Sequence, residues 1–210
     1  MANIDLSGTW IESRPPDEYT YWSNISYGNG RFVATAHDSD TPATDEHAMY
    51  SDDGINWTTG TGTAGMSLLG LAYGNGMWVA TGFSLRKEDI AYSSDGATWT
   101  KIKSPRNGCL WTSVVYGDGQ FVAVGGDASA EGFVMTSPNG TDWTLTVVDD
   151  PNIFTNVAYG DGMYVSCGDP TGDGNPVRYS TDGITWTEAT GVPALGYWSH
   201  VAYNLSLIHI

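Results

Sequence analysis

The sequence predicts an all-β protein, a β-propeller of four-stranded antiparallel blades, and three observations carry that expectation. Four times in 210 residues the chain repeats a strand ending Tyr-Gly-(Asn/Asp)-Gly, a second apolar strand, and then Ser-x-(Asp/Asn)-Gly-x-x-Trp. Tyrosines fall into one column at Tyr27, Tyr73, Tyr116, Tyr159 and Tyr203, spaced by 46, 43, 43 and 44 residues, and tryptophans into another at Trp57, Trp99, Trp143 and Trp186. A period in the low forties with four short strands per unit marks a propeller blade, because one blade cannot bury both of its faces and needs neighbours to do so.

Taken in chain order, Ser7-Gly8-Thr9-Trp10-Ile11 reads as a shortened copy of the third turn of the repeat with the start of its last strand, so 5–12 is expected to be a partial blade. Complete blades are expected at about 20–60, 66–104, 109–148 and 152–190, in a single domain over 1–204. In the third copy the strands, A to D from the axis outwards, fall at Leu110–Tyr116, Gln120–Gly125, Phe133–Ser137 and Asp142–Val148.

Between A and B stand Asn29-Gly30, Asn75-Gly76, Asp118-Gly119 and Asp161-Gly162. These pairs tolerate the positive φ angles of a type I′ hairpin, whose twist matches the strands it joins. Between C and D an Asp or Asn (Asp53, Asp95, Asn139, Asp182) can bond its own turn's backbone while the next glycine takes the strained angle. Tyr197 to Tyr203 reads as strand A of a further partial blade over 197–203. Leu205 to Ile210 fits no column and reads like an in-frame sequencing-library adapter, so 205–210 is expected to be an artefactual tail. Four complete blades with partial strands at both ends suggest a truncated ring of five to seven blades.

Loop lengths divide the two rims of such a ring. From the turn serine to the tryptophan the interval is always 6 residues, whereas from tyrosine to serine it is 24, 20, 21 and 21. The variation therefore sits between strands B and C. In a meander the B–C and D–A loops share the face opposite the A–B and C–D turns, and loops that differ between matched units are where binding concentrates.

The C–D motif resembles the Asp-box (BNR-like) repeat of sialidase-superfamily and photosystem-assembly-type propellers, with glycine directly after the aspartate. Combined with Tyr-Gly-(Asn/Asp)-Gly-x-Phe-Val-Ala it is similar to repeats of bacteriophage tail and virion-associated proteins, over about residues 20–204. That resemblance implies a virion, tail or extracellular-surface setting, with other virion subunits among the partners.

A net charge of −16, from 24 acidic against 8 basic residues, repels phosphate backbones and argues against nucleic acid. No segment approaches the apolar length of a membrane span, so membrane insertion is not expected, and the start shows no signal peptide. Cys109 and Cys167 stand in different columns and are expected to be free, buried thiols.

Five residues before each tyrosine stand Trp22, Leu68, Trp111, Phe154 and Trp198, and three before it Asn24, Gly70, Ser113, Asn156 and His200. On the innermost strand the first set would form an aromatic rim suited to sugar rings, and the second a small polar lining of the channel mouth. Trp22, Asn24, Trp111, Ser113, Phe154, Asn156, Trp198 and His200 are therefore the candidate ligand-binding residues, with packing between blades as the alternative account of the aromatics. The acidic loop over 37–47 and the stretch 169–175 offer Asp38, Asp40, Asp169 and Asp173 as metal candidates, with calcium as the ion and a solvated acidic loop as the alternative. No other cofactor is expected.

A sialidase-type reaction needs an arginine cluster for the substrate carboxylate, a nucleophile pair and a general acid. Arg14, Arg31, Arg86, Arg106 and Arg178 share no repeat column. The expectation is a non-catalytic binding module, such as a phage tail-fibre or surface-appendage propeller, holding a cell-surface glycan or protein on the B–C and D–A loop face. A structural or assembly-factor propeller and a sialidase-like glycoside hydrolase are the alternatives.

Overall fold

The computed structural model describes residues 21–37, 45–83, 88–127, 129, 131–148, 153–169, 176–192, 198–204 and 207–209. The first blade is β1 (Trp22–Gly28), β2 (Arg31–Ala36), β3 (Ala48–Ser51) and β4 (Thr58–Thr59). The second is β5 (Ser67–Gly74), β6 (Met77–Phe83), β7 (Ile90–Ser93) and β8 (Thr100–Ile102). The third is β9 (Leu110–Gly117), β10 (Gln120–Gly126), β11 (Gly132–Ser137) and β12 (Thr144–Val147). The fourth is β13 (Ile153–Gly160), β14 (Met163–Asp169), β15 (Val177–Ser180) and β16 (Thr187–Glu188).

Each blade is a separate four-stranded sheet, antiparallel throughout and in sequential order. A two-stranded sheet follows, β17 (Ala202–Asn204) with β18 (Leu207–His209). The all-β blade architecture is thus the one the repeat predicts, and the blades form an open, partial ring.

Two departures from the expected strands have local causes. The outer strands are shorter than expected, β12 beginning only at Thr144, because the C–D turn keeps the chain through Trp143. The Leu207–His209 stretch, which fits no column, pairs with β17 as β18. The expected strand over 5–12 lies outside the described residues.

The A–B turns adopt the predicted geometry. Asn29, Asn75, Asp118 and Asp161 have φ of 49°, 49°, 45° and 49°, and the glycine after each is also positive. Above each hairpin the column tyrosine meets the second residue of strand B, as in the Tyr73–Trp78 and Tyr159–Tyr164 pairs with centroids 4.7 and 4.6 Å apart. Such pairs stabilise a ladder by about 0.5–1.5 kcal/mol each beyond their burial.

The C–D turns form one hydrogen-bonded device four times over. In the second blade, Asp95 Oδ1 accepts from the Ala97 and Thr98 amides, each at 2.8 Å, while Ser93 Oγ accepts from Gly96 N at 2.8 Å. The Trp99 indole N–H closes the turn on Gly96 O at 3.2 Å. Asn139 does the same work in the third blade with its amide oxygen. The device needs an acceptor at this position, not a charge.

Blade joins on to blade through glycine. Strand A ends in Gly28, Gly74, Gly117 or Gly160, and a Cβ there would fall inside the ring of Tyr73, Tyr116, Tyr159 or Tyr203, the column tyrosine one unit further on. The turn glycines Gly96, Gly140 and Gly183 similarly lie under Val33, Val79 and Val122 of the preceding blade, where a Cβ would come within 2.7 Å of a valine methyl. Gln120 of the third blade donates to Asp182 O of the fourth (2.7 Å), and Arg31 of the first to Asp95 O of the second (2.7 Å).

Among the described residues the hydrophobic core is accordingly divided into four clusters, one per junction. Val33, Leu68 and Trp99 fill the first, Ile90, Trp111 and Phe133 the second, Val122, Val134 and Phe154 the third, and Val165, Val177 and Val201 the fourth. Removal of these surfaces from water at roughly 25 cal/mol per Å² is what holds successive sheets together.

Candidate functional site

The inner strands converge on a cavity of about 680 Å³ that draws its lining from β1, β5, β9, β13 and the 198–201 segment preceding β17. Its geometry depends on a repeated irregularity. The register of each A–B pair shifts at Ser23, Leu69, Thr112 and Thr155, four residues before the column tyrosine. A bulge here breaks the alternation of side chains and bends the strand. As a result three consecutive positions, exemplified by Thr112, Ser113 and Val114, face the cavity.

Polar groups on these strands stitch one blade to the next. Thr112 Oγ1 lies 2.8 Å from Phe154 O, and Thr155 Oγ1 lies 2.8 Å from Trp198 O. Asn24 Nδ2 donates to Leu69 O (2.9 Å), and Asn156 Oδ1 accepts from Val201 N (3.1 Å). Ser113 Oγ is reached by both Asn156 Nδ2 and Val157 N at 3.3 Å. The three-before-tyrosine column therefore lines the channel, and Asn24, Ser113 and Asn156 are also committed to its walls. His200, Ser199, Ser23 and His37 line the same cavity and are exposed.

The aromatic column behaves differently, and here the expected rim needs correction. Trp111 and Phe154 are 0% and 1% exposed and lie in the junction cores, together with Leu68 at 0%. The register shift after them turns these side chains into the blade-to-blade packing, so they present no face to a sugar. Trp22 and Trp198 are half-buried. Packing between blades, the alternative account of the column, is what the structure displays for Leu68, Trp111, Phe154 and Trp198.

A second concavity of about 370 Å³ opens on the loop face, lined by Phe83, Gly108, Leu110, Gly126, Asp127 and Ile153. Leu110 lines both concavities, which therefore adjoin at this residue. At the cleft's edge the Arg106 guanidinium lies over the Phe133 ring, 3.8 Å from the centroid, and 2.9 Å from the Asp127 carboxylate. That hydrogen bond holds Asp127 below the usual carboxylate range and raises Arg106. Glu131 adds a second carboxylate 3.5 Å from the same guanidinium. The sequence offered no sign of this cleft, because Phe83, Leu110 and Ile153 end or begin strands of three different blades.

Asp89, one residue before β7, is buried, which pushes its carboxyl up. Its oxygens accept from Ser104 N and Ser104 Oγ, both at 2.7 Å. Burial likewise raises the Cys109 thiol to about 11 and moves Cys167 in the same direction. Neither thiol is a nucleophile in this state.

Asp38, Asp40 and Asp173, and the side chain of Asp169, lie outside the described residues. Two other members of the long acidic loop are built into the first blade. Glu46 accepts from the Gly62 and Thr63 amides at 3.0 and 2.6 Å, and buried His47 is held between Thr63 Oγ1 and Met66 O. Among the described residues no group of three or more His, Cys, Asp and Glu is gathered as a metal site.

The described arginines are distributed, each in its own ion pair: Arg31 with Asp52 (2.6 Å), Arg106 with Asp127, and Arg178 with Glu188 (3.5 Å). Arg14 and Arg86 fall outside the described residues.

No protein-family model and no curated protein matches the chain. Solved structures of propeller proteins do. A chain of a nidogen/laminin complex matches with a TM-score of 0.60 and 13% identity, over 86% of this chain and 66% of that one. YCF48 bound to D1 peptide matches at 0.56 and 17% over 89% and 59%, and YCF48 from Cyanidioschyzon merolae at 0.54 and 13% over 82% and 57%. A Trypanosoma rangeli sialidase matches at 0.52 and 15%, over 81% of this chain and 38% of its own. The chain spans about half the length of other matched structures, such as 49% of a Bombyx mori GH32 β-fructofuranosidase. At these identities the likeness is one of fold.

Proposed function

We propose that this protein is a non-catalytic recognition module that binds a macromolecular partner, a cell-surface protein or glycan, on the face carrying its B–C and D–A loops. The observation that carries this reading is the pair of concavities on that face, the axial cavity and the apolar cleft, which adjoin at Leu110. Binding sites are concave and mostly apolar with a few placed polar groups, and this surface combines both elements. Two of the matched structures, the nidogen/laminin complex and YCF48 with D1 peptide, include a protein or peptide partner. The three described arginines, each in a separate ion pair, support binding over the hydrolase alternative. The biological setting we propose is a phage tail or similar surface appendage, on the strength of the repeat's resemblance, with other virion subunits as further partners.

The test uses exposed lining residues whose loss leaves the walls intact. Binding of the full chain to a glycan array and to intact bacterial cells should be lost in a His200→Ala/Leu110→Ser double variant whose melting temperature is unchanged. Binding that survives the double variant would move the site elsewhere. A wild-type chain that binds neither array nor cells would favour the assembly-factor alternative.

A further inference from the structure

Three large apolar side chains from three blades form the walls of the cleft: Phe83 at the end of β6, Leu110 at the start of β9 and Ile153 at the start of β13. Phe83 and Leu110 are 37% and 42% exposed, and Ile153 is half-buried. Gly126, at the end of β10, lies between the apolar wall and an acidic edge. A Cβ there would come within 2.8 Å of the Ile153 side chain and 2.9 Å of the Glu131 carbonyl oxygen, so the missing side chain lets Ile153 and Glu131 close on the same strand end.

Among the described residues, the polar groups around this hollow are already engaged. Asp127 Oδ2 accepts from Arg106 and its Oδ1 from the Ser129 amide, each at 2.9 Å, and the Arg106 guanidinium has one face covered by Phe133. In the adjoining axial cavity Thr112, Ser113 and Thr155 are bonded to the next blade. A sugar laid on Phe83, Leu110 and Ile153 would bury hydroxyls against groups that cannot bond them, which is costly. An apolar amino-acid side chain brings no such groups. One ionic group stays open to a partner: Glu131, whose side chain is 58% exposed, stands 3.5 Å from a guanidinium that Asp127 already neutralises. Two carboxylates thus share one guanidinium, and the edge of the cleft is net negative in a chain of net charge −16.

We propose that the cleft receives a segment of a protein partner that sets one large apolar side chain against Phe83, Leu110 and Ile153 and a neighbouring lysine or arginine on Glu131. This deepens the recognition reading above and rests on it, choosing protein over glycan for this part of the face. The division of labour follows from the chemistry of the two halves. Desolvation of the apolar anchor holds the segment in place. The surplus of carboxylates draws a basic segment in and turns an acidic one away, so charge here sets encounter and selectivity more than strength.

The probe is an array of acetylated Gly/Ser peptides carrying a central X-Z pair, with Leu, Phe or Ser at X and Lys, Arg, Ser or Glu at Z, read with the full chain beside a glycan array. Binding should require an apolar X and should be up to about fivefold stronger with Lys or Arg than with Glu at Z, the range of an exposed ion pair. Leu110→Ser should weaken every peptide about tenfold. Glu131→Gln should erase the preference at Z and leave the requirement at X, and Glu131→Lys should reverse that preference. Both residues are exposed, so the melting temperature should not move. Peptide binding that is indifferent to X, that survives Leu110→Ser, or that keeps its preference at Z in both Glu131 variants overturns the proposal. Glycan binding that Leu110→Ser abolishes, with no peptide bound, overturns it too but leaves the recognition reading standing. A chain that binds neither array nor intact bacterial cells removes both.

Discussion

Gly117→Ala isolates the contact on which the stacking of blades depends. The backbone φ at Gly117 is not in the left-handed region, so the substitution carries no conformational strain of its own. The added methyl would have its three nearest atoms, all in the Tyr159 ring, within 2.5 Å. The ring must therefore leave. Overpacking of this kind costs about 1–3 kcal/mol, and the displaced ring also loses part of its pairing with Tyr164, worth about 0.5–1.5 kcal/mol. Tyr164 in turn donates its hydroxyl to Gly117 O, so the shift disturbs the same residue from both sides. The expected cost is about 2–4 kcal/mol in urea unfolding. The decisive measurement is the double-mutant cycle with Tyr159→Ala. Once the ring is absent, Gly117→Ala should cost almost nothing, giving a coupling of about 1–3 kcal/mol. Additive single costs, or a Gly117→Ala penalty below about 0.5 kcal/mol, would refute the reasoning.

Further outcomes follow from other features. Trp99 is 4% exposed, so Trp99→Ala should cost about 3–5 kcal/mol, and half-buried Trp57→Ala less, in the same unfolding assay. Asp95→Asn should be near neutral, because Asn139 fills the same role in the third blade, whereas Asp95→Ala should cost about 1 kcal/mol by analogy with a lost helix cap. Hydrogen bonds hold Asp53, Asp95 and Asp182 below the ordinary value of 3.8, with the Thr185 amide foremost in drawing Asp182 down to about 2. These folded-state values lie below the unfolded one, so their stabilisation is present above about pH 4 and lost as pH falls toward 2, partly offset by Asp89, which burial shifts the other way. Denaturation midpoints across that range should fall, and a flat profile would count against the turn geometry. Both thiols should resist a thiol reagent in the native chain and react after unfolding, with accessible Cys109 in the folded state as the contrary result.

Much of this architecture is legible in the sequence because local chemistry repeats. Asn-Gly and Asp-Gly can be read as turns wherever they stand, and the Ser-x-Asp-Gly-x-x-Trp device closes entirely within seven residues. What stays hidden is set by contacts between units. Glycine after the column tyrosine looks like the start of a turn, yet its missing side chain is what admits the next blade's ring. The shift at Ser23, Leu69, Thr112 and Thr155 has no residue signature, since serine, leucine and threonine all occupy it. That shift decides whether Trp111 faces the channel or the core, so alternation alone assigns it wrongly. The cleft at Phe83, Leu110 and Ile153 is invisible for a similar reason, being assembled from residues 27 to 70 positions apart.

The glycine-seated rings and the valine-capped turns lie at one rim, while the loops of unequal length spring from the other. Mechanical registry and chemical identity are thereby assigned to opposite ends of every sheet. Insertions, deletions or wholesale replacement of a B–C loop leave the gearing between neighbours untouched, so such a scaffold can explore new specificities without renegotiating its own assembly.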